Sequence, residues 1–325
     1  MMILVTGGAG YIGSHTALML ADEGFDVLIL DNLSSGRRGL TGDIPLVVGD
    51  LRDRDLLHEV FGQHNIGAVF HFASLIRTDE SYEKPNLYYS HNLRTTLNLL
   101  DAMIEARVDK LIFSSSAAVY GEPVHTPITE EHPLRPVNPY GWTKFMIETM
   151  LGDYDRAVGL KSISLRYFNA AGADPKGRTG ECHDPETHLI PNIMLAALHK
   201  RNSLPVYGHD FETTDGTAVR DYVHVTDLAD AHIRALELLL AEGKTESLNL
   251  GAGRGYSVLE VIRKVEDVTG EKVPYRIVPR RRGDVPVLLA ANAKAARLLQ
   301  WQPQLSSLET IIRTAWDWHR KATEF

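Results

Sequence analysis

Tyr140 and Lys144 stand four residues apart, so on a helix they would share one face. Of the twelve tyrosines, Tyr140 alone has a lysine four residues later. A free phenol titrates near ~10 and is a poor base at neutral pH, but a neighbouring ammonium favours its phenolate form. Upstream, the run Ser114-Ser115-Ser116 offers a hydroxyl that can bond the same oxygen as the phenol. A second chemical element lies at the start, where Gly7, Gly10 and Gly13 form a G-x-x-G-x-x-G run. Glycines there permit a tight turn and let a pyrophosphate approach the backbone, while a following helix N-terminus supplies N–H donors and a favourable dipole. Asp31 lies 18 residues beyond Gly13, where a carboxylate receives ribose hydroxyls and repels a 2′-phosphate. That favours NAD over NADP. A nicotinamide so held would add positive charge beside Tyr140, whose phenol could accept a proton from an alcohol as hydride leaves the same carbon. Asp50 either reaches the adenine side or caps a helix.

These residues need a scaffold, and the alternation of the first half supplies one. Ile3–Thr6 reads as a buried strand, and a helix follows from Ile12 to Glu23, ended by Gly24. Further strands are expected at Asp26–Leu30, Leu46–Val48, Ala68–His71, Lys110–Ser114 and Ser162–Arg166. Between them come a helix through Leu56, Leu57, Val60 and Phe61, a long helix over Leu87–Arg107, and another over Tyr140–Ala157. This order predicts an α/β fold with a Rossmann-like, doubly wound parallel sheet, whose ligands bind at the carboxyl ends of the strands. The second half is less regular. Ala173–Glu212 is rich in Gly, Pro, His and Asp around one helix at Ile190–Leu198. After a short strand, Val223–Leu240 reads as helical, Ser247–Leu250 as a strand, and Tyr256–Thr269, Ala291–Leu299 and Leu308–His319 as helices. A smaller, partly inserted α/β domain is expected there.

The 325 residues fit about two domains, and 44% hydrophobic with 23% charged is a globular mix. The net charge of −8 makes the chain a poor general polyanion binder, so no nucleic-acid partner is expected. A single cysteine, Cys182, excludes an intramolecular disulfide. No apolar run approaches the ~18 residues of a membrane helix, and the apolar start lacks a basic region. A cytoplasmic protein without a membrane partner is the expectation.

The ordered motifs resemble the extended short-chain dehydrogenase/reductase superfamily and, within it, the UDP-glucose 4-epimerase family. They run from Val5-Thr6-Gly7-Gly8-Ala9-Gly10-Tyr11-Ile12-Gly13 through Leu30-Asp31-Asn32-Leu33, His71-Phe72-Ala73 and Phe113–Gly121. They continue through Asn138-Pro139-Tyr140-Gly141, Leu165-Arg166-Tyr167-Phe168-Asn169 and Arg220-Asp221-Tyr222-Val223-His224 to Asn249-Leu250-Gly251-Ala252-Gly253 and Arg280-Arg281-Arg282-Gly283-Asp284. The resemblance implies Tyr140 as acid/base, assisted by Lys144 and Ser116. It implies an NAD site from Gly7, Gly10, Tyr11, Ile12, Gly13, Asp31, Asn32, Ser35, Gly36, Asp50, Leu51, Phe72, Ala73, Asn92, Ser114, Tyr140, Lys144 and Tyr167. It implies a UDP-sugar site from Ser116, Tyr140, Phe168, Asn169, His188, Leu189, Val206, Tyr207, Arg220, Tyr222, Arg281, Asp284 and Leu288. Residues 1–172 would form the NAD-binding unit and 173–325 the UDP-sugar unit, with 216–252 folding back on the first. A homodimer is implied as well.

Several positions depart from the family pattern. Ile76 stands where many members carry lysine, and Arg77 is a candidate to replace its charge. His188 stands where some carry asparagine. Leu288 occupies the position resembling a gate for sugar size, so N-acetylated, pentose and uronate UDP-sugars stay open beside UDP-glucose and UDP-galactose. A dehydratase on the same fold is disfavoured because Ala117-Ala118, not carboxylates, follow Ser116. A plain reductase and a non-catalytic NAD-sensing module are weaker alternatives. The segment from His183 to His188 lacks the usual zinc spacing and contains Asp-Pro, so it is expected to be a polar surface loop and no metal is expected. Gly251–Gly255 is read as a strand-to-helix turn.

Overall fold

A computed structural model describes residues 1–321. Its strands, in chain order, are β1 (Met2–Thr6), β2 (Asp26–Asp31), β3 (Leu46–Val48), β4 (Ile66–His71), β5 (Lys110–Ser116), β6 (Lys161–Tyr167), β7 (Asn169–Ala171), β8 (Leu204–Tyr207), β9 (Val219–His224), β10 (Glu246–Leu250), β11 (Gly255–Ser257), β12 (Tyr275–Val278) and β13 (Val287–Leu288). Seven of them form one sheet in the order β10-β6-β5-β4-β1-β2-β3. Every pair in it is parallel. The order reverses at β1, which lies between β2 and β4, so a crevice opens beyond the carboxyl ends of β1 and β4.

Residues one apart in a strand point to opposite faces. Ile3 and Val5 therefore join one core with Ala17, Leu20 and Leu236, while Leu4 joins the other with Leu57, Leu100 and Ile147. Helices Tyr11–Asp22 and Val225–Glu242 cover the first face; Arg54–Gln63, Arg94–Glu105 and Pro139–Val158 cover the second. Both faces are thus closed by apolar burial, and the strand ends are left for chemistry.

The expected helix at Leu87–Arg107 is in fact three pieces, a short helix at Pro85–Tyr88, a π-helical turn at Tyr89–Leu93 and an α-helix from Arg94. The wide turn contains Asn92, whose buried amide accepts from the Leu75 N–H and donates to the Leu75 carbonyl and to Thr143 Oγ1. Helical widening of this kind accompanies a side chain set for function. The helix expected from Tyr256 starts at Val258, because Gly255–Ser257 pair with β9 and Ser257 makes a capping box with Glu260.

Beyond the large sheet, β9 pairs with β7, β11 and β13, and β8 pairs with β12. Helices Leu189–Ala197, Val258–Thr269 and Leu308–Lys321 enclose a third core around Ile193, Met194, Val261, Ile262 and Ile311. These strands of two to six residues were not foreseen, apart from one short strand before the Val223 segment. They carry too few residues for a period-two signal.

Candidate active site

The glycine run turns at the end of β1. Gly7 has φ +72°, and a Cβ there would stand 2.5 Å from the Ala73 nitrogen. A Cβ on Gly13 would lie 2.3 Å from the Gly7 carbonyl oxygen. Both clashes are backbone on backbone, so glycine is a steric requirement at each. No side chain caps the following helix at Gly10, which leaves its first N–H groups for an anion. Asp31 accepts from the Ala9 N–H at 2.9 Å and the Leu33 N–H at 2.8 Å. Burial raises its pKa against those two bonds. Its remaining lone pairs can take hydroxyl donors. Gly36 packs its Cα face against Ala9, while Asn32 and Ser35 are exposed on the same rim. Asp50 is held by both Arg52 nitrogens and by Asn32 Nδ2, and those bonds keep its carboxyl far below the ordinary range. This ring of backbone donors and paired acids fits a dinucleotide.

Across the crevice, Phe72 and Ala73 N–H groups both donate to the Thr6 carbonyl, so β4 delivers them beside Gly7. Leu51 is 5% exposed and packs in the second core; Ile12 packs against the first. Tyr11 is buried and donates to the Gly172 carbonyl at 2.7 Å.

Tyr140 opens the helix Pro139–Val158, whose start is fixed by Pro139 and by the Asn138 side chain accepting from Gly141 N–H. A Cβ on Gly141 would stand 2.6 Å from the Ala118 carbonyl, so glycine brings this helix onto the segment following Ser116. Tyr140 and Lys144 are both buried, with the ammonium 5.8 Å from the phenol ring centre. Lys144 donates to the Ser114 carbonyl at 2.8 Å. Burial lowers Lys144 to about 7 against the pull of Glu148. Burial raises Tyr140, and a hydrogen bond with Ser116 only partly offsets it. Burial thus acts against the charged form of each group, raising the phenol and lowering the ammonium. Tyr167 also lies here, its hydroxyl donating to His232 Nε2 at 2.5 Å.

A brace behind this triad was not anticipated. Arg166 on β6 grips Glu148 through a buried ion pair at 2.6 Å, and Ser115 Oγ donates to the same carboxylate at 2.5 Å. Arg166 also donates to Tyr120, whose hydroxyl donates to Asn249. The pattern gave no sign of it, since its members come from β5, the turn after it, the helix Pro139–Val158, β6 and β10.

On the opposite wall, Arg220 of β9 and Arg281 converge on Asp284. Arg220 Nη2 stands 3.8 Å from Asp284 Oδ1, and Arg281 Nε donates to Oδ2 at 3.2 Å. Arg220 also donates to the Val219 and Val285 carbonyls, while Arg281 lies 4.7 Å over the Tyr207 ring. Strand β13 links this wall to the triad. Leu288 is in register with Arg220, and it packs with Phe168 on the cluster of Ala117, Val119, Tyr120 and Ile128. Asn169 is in register with Tyr222 on β7 and β9. Tyr222 and Val206 are core residues, 4% and 1% exposed. Arg77 is engaged with Asp79 at 3.1 Å, and Ile76 is exposed. The Gly251 turn is filled from within, as Ala252 and Gly253 N–H groups donate to Asp221. Burial raises Asp221 to about 6 despite these bonds.

The His183–His188 segment is a loop with Asp184 and Pro185 exposed, as expected, but the Glu186 carboxylate and that of Glu181 just before the segment turn inward. Glu181 and Glu186 side chains are 4% and 7% exposed, and each faces an imidazole. His188 and Leu189 begin the helix that borders the third core. Burial opposes charge on His188, but Glu181 and Glu186 outweigh it and raise the imidazole to about 10. Among the described residues, no helix is long and apolar enough to cross a membrane.

The model of the NAD dependent epimerase/dehydratase family matches residues 3–251. A protein of Halalkalibacterium halodurans named UDP-glucose 4-epimerase is 50% identical over 321 residues, covering 99% of this chain and 96% of the relative. The crystal structure of UDP-glucose 4-epimerase from Brucella ovis in complex with NAD superposes with a TM-score of 0.95 at 48% identity, covering 97% of each chain. That of UDP-glucose 4-epimerase from Bifidobacterium longum in complex with NAD+ and UDP gives 0.95 at 40% identity, covering 99% of each chain.

Proposed function

The chain belongs to the NAD dependent epimerase/dehydratase family, and on that premise we propose that it interconverts UDP-glucose and UDP-galactose by transient oxidation at sugar C4. The observation that carries this reading is the buried Tyr140 and Lys144 with the half-buried Ser116, together with a glycine cradle and two arginines that share one carboxylate. The glycine turn, Asp31 and Lys144 would hold NAD, which supplies the hydride acceptor and later the hydride donor. Arg220 and Arg281 would grip the diphosphate, each guanidinium offering a planar fork of donors. Asp284 would then release part of its hold on Arg281 and accept from the uridine ribose.

Tyr140 Oη takes the proton of the sugar 4-hydroxyl as C4 is oxidised, and Ser116 Oγ holds that oxygen in line. The 4-keto sugar turns over between Leu288, Phe168 and the Ala117 cluster, which present apolar surface without fixing a sugar hydroxyl. Tyr140 then returns the proton on the opposite face. Burial raises the phenol, so Tyr140 would act as a base with the help of the positive charge that a nicotinamide held beside it would supply.

Leu288 is shorter than tyrosine and larger than a small gate residue, so the pocket would favour the plain hexoses while leaving some space at C2. A UDP-sugar of another type is the second reading that this residue keeps open. Leu97, Ile104, Trp142 and Met146 are each 37–39% exposed on the helices Arg94–Glu105 and Pro139–Val158. Apolar side chains on two neighbouring helices support a two-fold homodimer. Light scattering should return twice the 36.2 kDa chain mass; a monomer would remove this part of the reading.

Tyr140→Phe tests the acid/base assignment. Turnover should fall by ~10²–10⁴-fold with UDP affinity unchanged. Near-normal turnover would place the proton elsewhere.

A further inference from the structure

We propose that Glu181, His183, Glu186 and His188 form a binding site for a single divalent transition-metal ion, with zinc as the best match to the donor set. One donor atom from each lies within 4.8 Å of all the others. Two imidazole nitrogens and two carboxylate oxygens suit a borderline-soft cation in tetrahedral coordination, and not calcium or magnesium, which take oxygen. With bonds of ~2.0–2.2 Å, tetrahedral donors stand ~3.3–3.6 Å apart. Here Nδ1 of His183 is 3.1 Å from Glu181 and 3.9 Å from Glu186, and Nδ1 of His188 is 2.5 Å and 3.3 Å from the same two. The measured separations bracket the tetrahedral value.

Two further observations point to an ion at this focus. Nδ1 of His188 is buried and makes no hydrogen bond, although a Glu181 oxygen lies 2.5 Å away. The nitrogen and the oxygen share a focus without the alignment that sharing a proton needs. Both carboxylates are also more than nine-tenths buried, and a divalent cation bound there would compensate them in place of the proton on His188.

The outer contacts are those of an oriented site. Oε1 of Glu186 accepts from the backbone N–H of Thr187 and of His188. Trp318 Nε1 donates to the Glu181 carbonyl, which ties the cluster to the last helix. The His183 ring meets Tyr11 edge-on at 6.3 Å, so the same cluster touches the glycine turn. The ion would pin residues 181–188 between the first and last helices and take no part in redox chemistry.

The test uses the full-length protein, stripped with a chelator and titrated with zinc by calorimetry, with cobalt(II) as an optical probe. One zinc per chain should bind and raise the melting temperature. Cobalt should give the visible absorption of a tetrahedral site. His183→Ala, which alters a partly exposed side chain, should weaken zinc binding by more than ~100-fold and abolish the cobalt band. Glu186→Gln serves as the second variant and should act the same way. Absence of stoichiometric binding in the stripped wild type overturns the proposal, and so does binding retained in a folded His183→Ala variant. Neither readout involves sugar turnover, so failure here leaves the epimerase reading untouched.

Discussion

The two walls of the crevice are built on different physics. The glycine wall is shaped by backbone: Gly7 and Gly13 exist where a Cβ would strike main-chain atoms. The arginine wall is shaped by charge: Arg220, Arg281 and Asp284 are partly exposed and already paired with one another. A shape-built wall suits a ligand that stays. A charge-built wall suits a ligand that enters and leaves, because its ion pairs can exchange one partner for another at little cost. The contrast predicts that the first wall fails all at once and the second by degrees.

The largest effect is on pH stability. Burial lowers His15 and His232 to about 4 and His71 to about 3. The unfolded chain binds protons at these groups near ~6.5, where the folded chain does not. Their contribution is therefore complete above that pH and is lost as pH falls toward the folded values. His224, lowered by burial to about 3, acts in the same sense, while Asp221, raised to about 6, and His188, raised to about 10, work in the opposite sense. Urea unfolding should show on the order of 5 kcal/mol less stability at pH 5 than at pH 7.5. A flat profile would mean these imidazoles are not held neutral.

Next comes Gly13→Ala. Its Cβ meets the Gly7 carbonyl oxygen at 2.3 Å, and neither backbone can yield cheaply. NAD retention through purification, read by absorbance after acid release, should drop by more than ~100-fold. Full retention would show that the turn relaxes and that shape is not decisive.

On the other wall the expected losses are graded. Arg220 has a side chain 14% exposed and Arg281 one 51% exposed. Arg220→Ala should weaken UDP binding by roughly 100-fold, as expected for a desolvated charge, and Arg281→Ala by only about 5–10-fold. Equal losses by calorimetry would erase the distinction within this wall. The smallest effect is at the sugar. Leu288→Tyr should shift the preference against N-acetylated UDP-sugars by ~10–100-fold in kcat/KM, with kcat for UDP-galactose little changed. An unaltered ratio would free Leu288 from the gate.

The same contrast explains what the sequence disclosed. The glycine turn, Asp31 and the Tyr140–Lys144 pair are local patterns, each readable within a few residues, and the alternation around them implied the parallel sheet. The charge-built parts depend on distant strands meeting. Leu288 reaches Arg220 only because β13 pairs with β9. Glu148 and Arg166 look like ordinary surface residues until a helix and a strand bury them together. Glu186 reads as a residue of a polar surface loop because nothing nearby in the chain announces that its carboxylate turns inward.

The central claim is a reversible oxidation at C4 by a cofactor that does not leave. The most direct test is to mix purified protein with UDP-galactose, add no NAD, and follow the sugar by NMR. Conversion to an equilibrium mixture with UDP-glucose and no net NADH is expected. No conversion, even after NAD is supplied, would contradict it.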